Sequence, residues 1–184
     1  PISLFLNMDL DSGLRVSLLE VLGDIGSEDS IEALTYGVKN RDVTVRRTAA
    51  TSLAKIKSNR VIDPLLYAAH DEDVEVRKIS IQAIGNIGSE AMIDPLRIAM
   101  RDNEPAVRRI AVASFPKIKN DRSTDLLIQA LQDEDTEVRK IAVQALGVLN
   151  DRNVVQPLIN MIEDKEQIVR ESAVNALAKI GDKR

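Results

Sequence analysis

The residue with the clearest chemical potential in this sequence is an arginine that returns every 31 residues. A guanidinium group has five N–H donors in a planar fork, so it suits either capture of phosphate and carboxylate ligands or a buried ion pair. On a helical wheel this arginine falls within the apolar stripe of its helix and points toward the neighbouring repeat. We therefore predict a structural role for this set, the arginine ladder: Arg15, Arg46, Arg77, Arg108, Arg139 and Arg170.

Aspartates in the short loops before the recurring arginines are the expected partners of the ladder. They are Asp71, Asp102, Asp133 and Asp164. A buried guanidinium must be paired, and breaking such a pair costs several kcal/mol. The ladder is therefore predicted to stabilise the fold rather than to bind a ligand.

The sequence contains few residues that could form a catalytic or metal-binding site. The 184 residues contain no cysteine and one histidine, His70, which argues against thiolate chemistry, disulfides and His-based metal sites. No Ser-His-Asp arrangement or phosphate-binding glycine loop is recognisable. We expect no cofactor and no metal. Absence of cysteine fits a reducing compartment, so a cytoplasmic location is expected.

Charge and hydropathy restrict the partners. A net charge of −4 argues against a general nucleic-acid binder, which usually needs a cationic surface. The apolar runs are much shorter than the roughly 20 residues of a membrane-spanning helix. With 44% hydrophobic residues but 2% aromatic, the core must consist of Leu, Ile, Val and Ala.

Two short helices per repeat are needed to position the arginines. A fixed period of 31 residues is typical of stacked-repeat proteins. Acidic residues four positions before each arginine are predicted N-caps of the second helix, and Gly or Asn is predicted to end it at Gly26, Gly88, Asn150 and Gly181. Leucines at equivalent places anchor the first helix. The predicted repeats span residues 1–26, 27–57, 58–88, 89–119, 120–150 and 151–184 of a single domain.

Two features depart from a regular array. Pro116 falls inside the second helix of the fourth repeat, where it is predicted to kink the helix. Pro1 begins in the middle of a first helix, and Ile2, Leu4, Phe5 and Leu6 place apolar residues at the edge of the stack. Terminal repeats normally carry a polar face, so we expect the chain to be a portion of a longer protein.

Residues 73–96 carry a family resemblance. They contain Asp-Val-Glu-Val-Arg, then Ala-Ile-Gly-Asn-Ile-Gly, then Asp-Pro-Leu, and equivalents recur along the chain. This pattern resembles the HEAT-like repeat of the phycobilisome-lyase type. The resemblance implies an all-α fold, a right-handed α-solenoid of the armadillo/HEAT-like kind with about six helical hairpins. It also implies that the second helices line a concave binding surface.

A partner-binding surface is predicted on the solvent side of the second helices. Positions one, five and nine residues after each ladder arginine hold seven basic and three acidic residues in total, which predicts a cationic face. Three isoleucines two residues after the arginine could add an apolar strip. The candidate partner-binding residues are Arg47, Lys78, Ile79, Gln82, Arg109, Ile110, Lys140, Ile141 and Gln144.

These features favour a non-enzymatic scaffold that binds another protein or a peptide segment, for which an acidic segment is a candidate, on this surface. The alternative, suggested by the namesake of the family, is a bilin lyase or a chromophore-handling subunit. Four aromatic residues offer little material for a tetrapyrrole pocket. A third interpretation is that lysine and arginine simply solvate this face and that the isoleucines pack against the adjacent helix.

Overall fold

The computed structural model describes residues 11–118, 120–149 and 151–181. Expectations that concern residues 1–10, Lys119 or the cap at Asn150 lie outside these ranges. Eleven α-helices and no strand occur in the described residues. The helices are α1 (Ser12–Ile25), α2 (Ile31–Gly37), α3 (Val43–Lys55), α4 (Ile62–Ala68), α5 (Val74–Ile87), α6 (Ile93–Ala99), α7 (Pro105–Ser114), α8 (Asp121–Ala130), α9 (Thr136–Leu149), α10 (Val155–Asn160) and α11 (Gln167–Gly181).

The chain divides into two compact units, residues 1–84 and 85–184. The first unit holds α1 to α4 and most of α5, and the second holds the end of α5 and α6 to α11. Second helices of 10 to 15 residues alternate with first helices of 6 to 10 residues, and α7 and α8 have 10 residues each. Whether the units act as one domain remains a prediction.

Acidic residues cap several of the second helices, as predicted. The carboxylate of Asp11 accepts a hydrogen bond from the Leu14 amide at 2.9 Å, and that of Asp42 accepts one from the Thr44 amide at 2.8 Å. Asp135 does the same for the Val138 amide at 2.9 Å. These bonds satisfy amides that have no partner within the first turn of a helix. Glu104 makes no such bond, and Pro105 follows it as the first residue of α7.

Glycine ends two second helices in the predicted way. Gly26 and Gly88 have φ angles of 65° and 66°, in the left-handed region that favours glycine. Gly181 is the last residue of α11, and its φ is not positive, so the predicted left-handed cap is not formed there.

Pro116 has a stronger effect than the kink predicted for it. Helix α7 ends at Ser114, and residues Phe115–Lys117 form a single 3-10 turn instead of a continued α-helix. Proline lacks the amide hydrogen that the helix needs and its ring collides with the preceding turn. Phe115 is fully buried in that turn, so the interruption is packed rather than loose.

Equivalent residues of successive repeats form the core of each unit. The leucines at the 31-residue period in the first helices are at most 1% exposed: Leu34, Leu65, Leu96, Leu127 and Leu158. The valines that precede five ladder arginines are equally buried: Val45, Val76, Val107, Val138 and Val169. Each such side chain contributes about 1.5–3 kcal/mol when it leaves water.

Second helices approach closely where a glycine on one faces a small residue on the next. In the first unit Gly23 faces Ser52, whose hydroxyl donates a hydrogen bond of 2.8 Å to the Leu19 carbonyl. In the second unit Gly147 faces Ala176, and a Cβ on this glycine would lie 2.8 Å from the alanine Cβ. A side chain has no room at either contact.

The Gly147 contact makes a testable prediction. Gly147→Ala should lower the free energy of unfolding by about 1–3 kcal/mol, because overpacking a tight contact costs more than helix propensity returns. Gly181→Ala is the matched control, since nothing lies within 4 Å of the Cβ added there. Urea denaturation followed by circular dichroism measures both. Equal stability of the two variants would contradict the close-contact argument.

Candidate functional site

Arg108 shows how the chain uses a ladder arginine. Its Nε and Nη2 atoms each donate to the Asp133 carboxylate at 2.9 Å, and Nη2 also donates to Glu134 at 3.1 Å. Its Nη1 atom donates to the carbonyls of Asp102 and Asn103, in the loop before its own helix. The side chain is 6% exposed. One guanidinium group therefore joins two successive inter-helix loops.

The same arrangement recurs at two other positions. In the first unit Arg46 binds Asp71 through Nε at 2.8 Å and Nη2 at 3.0 Å, and it also contacts Glu72. In the second unit Arg139 binds Asp164 at 2.8 and 3.0 Å. Ion pairing with these carboxylates raises the pKa of each guanidinium, with the hydrogen bond to aspartate as the largest cause.

The carbonyl contacts of this pattern recur at two further ladder arginines. Arg77 donates from Nη1 to the Asp71 and Glu72 carbonyls, at 2.9 and 3.1 Å. Arg170 donates from Nη1 to the Asp164 carbonyl at 2.7 Å. Arg15 lines a cavity beside the loop before α3. All three are half-buried.

The residue after the loop aspartate was missed by the sequence analysis. Glu72 and Glu134 each add a second carboxylate to the guanidinium of the preceding repeat. Their side chains are largely exposed, whereas the aspartates beside them are nearly buried. The available signal was the repeated Asp-Glu pair, which appears at 71–72 and again at 133–134.

A second set of arginines lies next to the ladder. Arg47 makes a two-bond contact with Asp73 at 2.9 and 2.6 Å in the first unit. Arg109 makes the equivalent contact with Asp135 at 2.9 and 2.7 Å in the second unit. The hydrogen bond from the arginine is the largest cause that lowers the pKa of Asp73 and of Asp135 to about 2.

The candidate lysines are also paired on their own helices. Lys78 contacts Glu75 at 2.8 Å, and Lys140 contacts Glu137 at 2.6 Å. The sequence count omitted these two glutamates and the two aspartates that hold Arg47 and Arg109. The sequence analysis counted seven basic and three acidic residues on this face. With these four carboxylates the acidic residues also number seven. The predicted cationic excess is therefore neutralised locally.

The apolar strip of three isoleucines predicted on the partner-binding surface is not exposed. Ile79, Ile110 and Ile141 are half-buried, so they do not form an exposed strip. Gln82 and Gln144 are exposed, as expected from their positions. The exposed apolar residues of the second helices in the second unit include Val148 at 62%, Val174 at 53% and Ile168 at 44% exposure.

Between α9 and α11 the second unit has a cavity of about 490 Å³. Its lining includes Gln144, Val148, Ser172, Asn175 and Lys179. Gly147 and Ala176 form its floor, where the two helices meet. Of the residues predicted to bind a partner, Gln144 lines this cavity; the other candidates in the unit, Arg109, Ile110, Lys140 and Ile141, do not.

Comparison with known proteins identifies the family. The HEAT repeat family matches residues 2–74, 62–135 and 124–184, so the chain belongs to the HEAT repeat proteins. Together with the helical hairpins, this defines the fold class as an α-solenoid. None of the curated protein sequences compared matches this chain.

Solved structures agree with this fold class. The X-ray structure of YibA from E. coli has 24% identity and a TM-score of 0.73, covering 95% of this chain and 68% of that one. The CpcE–CpcF complex of phycocyanin lyase from Nostoc has 22% identity and a TM-score of 0.66, covering 82% and 99%. A designed armadillo repeat protein in complex with the peptide (KR)4 has 21% identity and a TM-score of 0.59, covering 89% and 92%.

Two further observations concern the described residues alone. None of their helices combines the length and apolar character that a bilayer crossing requires. They also contain no cluster of three or more His, Cys, Asp or Glu residues able to hold a metal ion. His70 Nδ1 lies 2.9 Å from the Leu66 carbonyl at the end of α4.

Removing a ladder arginine should be costly. Arg108→Ala should lower the free energy of unfolding by about 3–5 kcal/mol, because the carboxylate of Asp133 is then left buried without its cation. Arg97→Ala is the control: Arg97 and Asp94 form an exposed pair, for which about 0–1 kcal/mol is expected. Guanidinium denaturation of both variants measures the difference. Equal losses would refute the structural role.

The Arg109–Asp135 pair predicts a specific pH dependence. The folded-state pKa of Asp135 is lowered to about 2 from an ordinary value of 3.8. Its contribution to stability is therefore fully present above pH 4 and is lost as the pH falls toward 2. Asp135→Asn keeps an effective N-cap but loses the charge, so it should be less stable than the parent at pH 7.

This stability difference should shrink between about pH 4 and pH 2. Thermal unfolding across that range measures it, and Asp125→Asn, at an exposed position of α8, corrects for the loss of one negative charge. A constant difference down to pH 2 would contradict the pairing.

Proposed function

We propose that this protein is a non-enzymatic scaffold that binds a segment of a partner protein on its second helices. The cavity between α9 and α11 is the observation that carries the proposal. It combines an apolar surface with polar groups, which is the usual composition of a small recognition pocket. The cavity lies between two second helices, and Gln144, one of the residues proposed from the sequence, lines it.

The lining of this cavity suits an extended peptide. The exposed side-chain amides of Gln144 and Asn175 can both donate to and accept from a peptide main chain. Val148 offers an exposed apolar surface for a side chain of the partner. Lys179 adds a positive charge that favours a nearby carboxylate. We therefore propose a segment with an apolar residue next to an acidic one.

The other candidate residues would contribute a mixed-charge surface in each unit. In the first unit Arg47 and Lys78 are engaged with Asp73 and Glu75, next to the exposed Gln82 and the half-buried Ile79. In the second unit Arg109 and Lys140 are engaged in the same way, beside Ile110 and Ile141. Paired charges of this kind favour specificity over raw affinity. The absence of cysteine in the sequence fits a location in the cytoplasm.

Peptide selection tests this proposal. A displayed random peptide library is selected against the protein, and the affinities of individual peptides are then measured by calorimetry. We expect Val148→Glu to weaken most selected peptides at least tenfold, because it places a charge in the cavity. Val174→Glu is the matched control, because Val174 is also exposed on α11 but does not line the cavity.

The proposal fails if the selected peptides bind both valine variants as tightly as the parent. It also fails if both variants lose binding equally while circular dichroism shows intact helices, because binding then does not depend on the cavity.

The alternative of bilin handling rests on the structural likeness to the CpcE–CpcF complex of phycocyanin lyase. At 22% identity this likeness concerns the fold. A change in the visible absorption of a linear tetrapyrrole on mixing with the protein would favour this alternative. An unchanged spectrum would favour the scaffold.

A further inference from the structure

A lysine contact crosses two of the junctions at which a glycine of one second helix faces the next repeat. In the first unit Lys55 Nζ donates to Asp24 Oδ1 at 2.6 Å. In the second unit Lys117 Nζ donates to Asn86 Oδ1, also at 2.6 Å. The two residues of each contact are 31 positions apart, so they occupy equivalent places in successive repeats. The chain thus supplies the lysine with a short side chain that carries an acceptor oxygen.

The junction between α9 and α11 keeps the lysine but loses the acceptor. Lys179 is equivalent to Lys55 and Lys117. The place of the acceptor is held by Val148, whose side chain has no oxygen. Within the described ranges Lys179 forms no hydrogen bond or ion pair, and the residue is exposed. A cation that the chain pairs internally at two junctions is therefore available to a ligand at this one.

This lysine lies in the lining of the cavity that we propose as the binding site of a partner segment. Lys179 is the one charged residue among the described residues that line the cavity. A single positive charge matches the single negative charge of a carboxylate better than the nearly double charge of a phosphate monoester. Val148 is 62% exposed in the same lining, so an apolar group can pack beside the charge. The lining therefore favours a ligand with one negative charge next to an apolar group.

We propose that Lys179 determines the specificity of this cavity by binding the carboxylate of an aspartate or glutamate side chain in the partner segment. The ligand carboxylate takes the place that the Asp24 carboxylate has against Lys55. This inference rests on the proposed function, because it concerns the same cavity. An ammonium group has three donors on a flexible stem, so it can meet a carboxylate without a fixed bidentate geometry. A charge pair of this kind contributes to selection among partners more than to total affinity.

A matched pair of peptides tests the role of Lys179. The probe is a peptide selected on the parent protein from the displayed library, and each of its acidic residues is replaced in turn by the corresponding amide. We expect one such replacement to weaken binding to the parent about fivefold at low salt. The difference should shrink at high salt, because ions screen an exposed pair. With Lys179→Gln the acidic and amide peptides should bind with equal affinity, since the cation is absent.

Lys117→Gln is the matched control. Lys117 is the equivalent lysine of the preceding glycine junction in the same unit, is exposed and lies outside the lining of the cavity. This variant should keep the preference of the parent for the acidic peptide. A second selection, against Lys179→Glu, should enrich lysine or arginine where the parent selects the acidic residue. A lysine that only solvates the end of α11 would produce neither change.

Different results would overturn this inference and the proposed function. Equal affinity of the parent for the acidic and amide peptides would remove the role of Lys179, and the proposed function would stand if Val148→Glu still weakened both peptides. Peptides that are insensitive to Val148→Glu would remove the proposed function and the role of Lys179 with it. A preference that survives Lys179→Gln, or one that requires the free C-terminal carboxylate of the peptide, would overturn the assignment to an acidic side chain.

Discussion

The structure depends on the need to pair a buried guanidinium group. Arg46, Arg108 and Arg139 use Nη1 to hold the loop before their own helix and use Nε and Nη2 to hold the loop of the next repeat. Dispersion contacts among Leu, Val and Ala carry little directional information, whereas this arrangement fixes both loops at once. The ladder therefore sets the register of one repeat against the next.

Much of the fold could be predicted because many of the residues that recur every 31 positions act within one helix or its first turn. Spacing of 31 residues located the ladder, and the acidic caps at Asp11, Asp42 and Asp135 follow from the needs of a first helical turn. Pro116 was predicted to kink its helix, but the helix ends at Ser114 instead. Whether a proline kinks or ends a helix depends on how the neighbouring residues pack. Phe115 is fully buried in the resulting turn, which could not be read from its position alone.

The surface was harder to predict because it depends on contacts between repeats. Arg47 and Arg109 occupy solvent-side positions, yet each is held by an aspartate 26 residues further along the chain. A helical wheel shows one helix at a time, so it counts these cations and omits the carboxylates that neutralise them. The cavity between α9 and α11 was also missed, because it requires Gly147 and Ala176 to face each other across two helices.

Two contacts recur with a period of two repeats, in addition to the ladder contacts that recur from one repeat to the next. Arg47–Asp73 and Arg109–Asp135 are the same contact at a spacing of 62 residues, and each runs from an even repeat to the next odd one. Glycine contacts run the other way, from odd to even, as Gly23 to Ser52 and Gly147 to Ala176 show. Charged side chains bridge the glycine junctions as well, as Lys55–Asp24 and Arg139–Asp164 show. The close glycine contact is therefore what distinguishes these junctions, and in the second unit it lies at the cavity between α9 and α11.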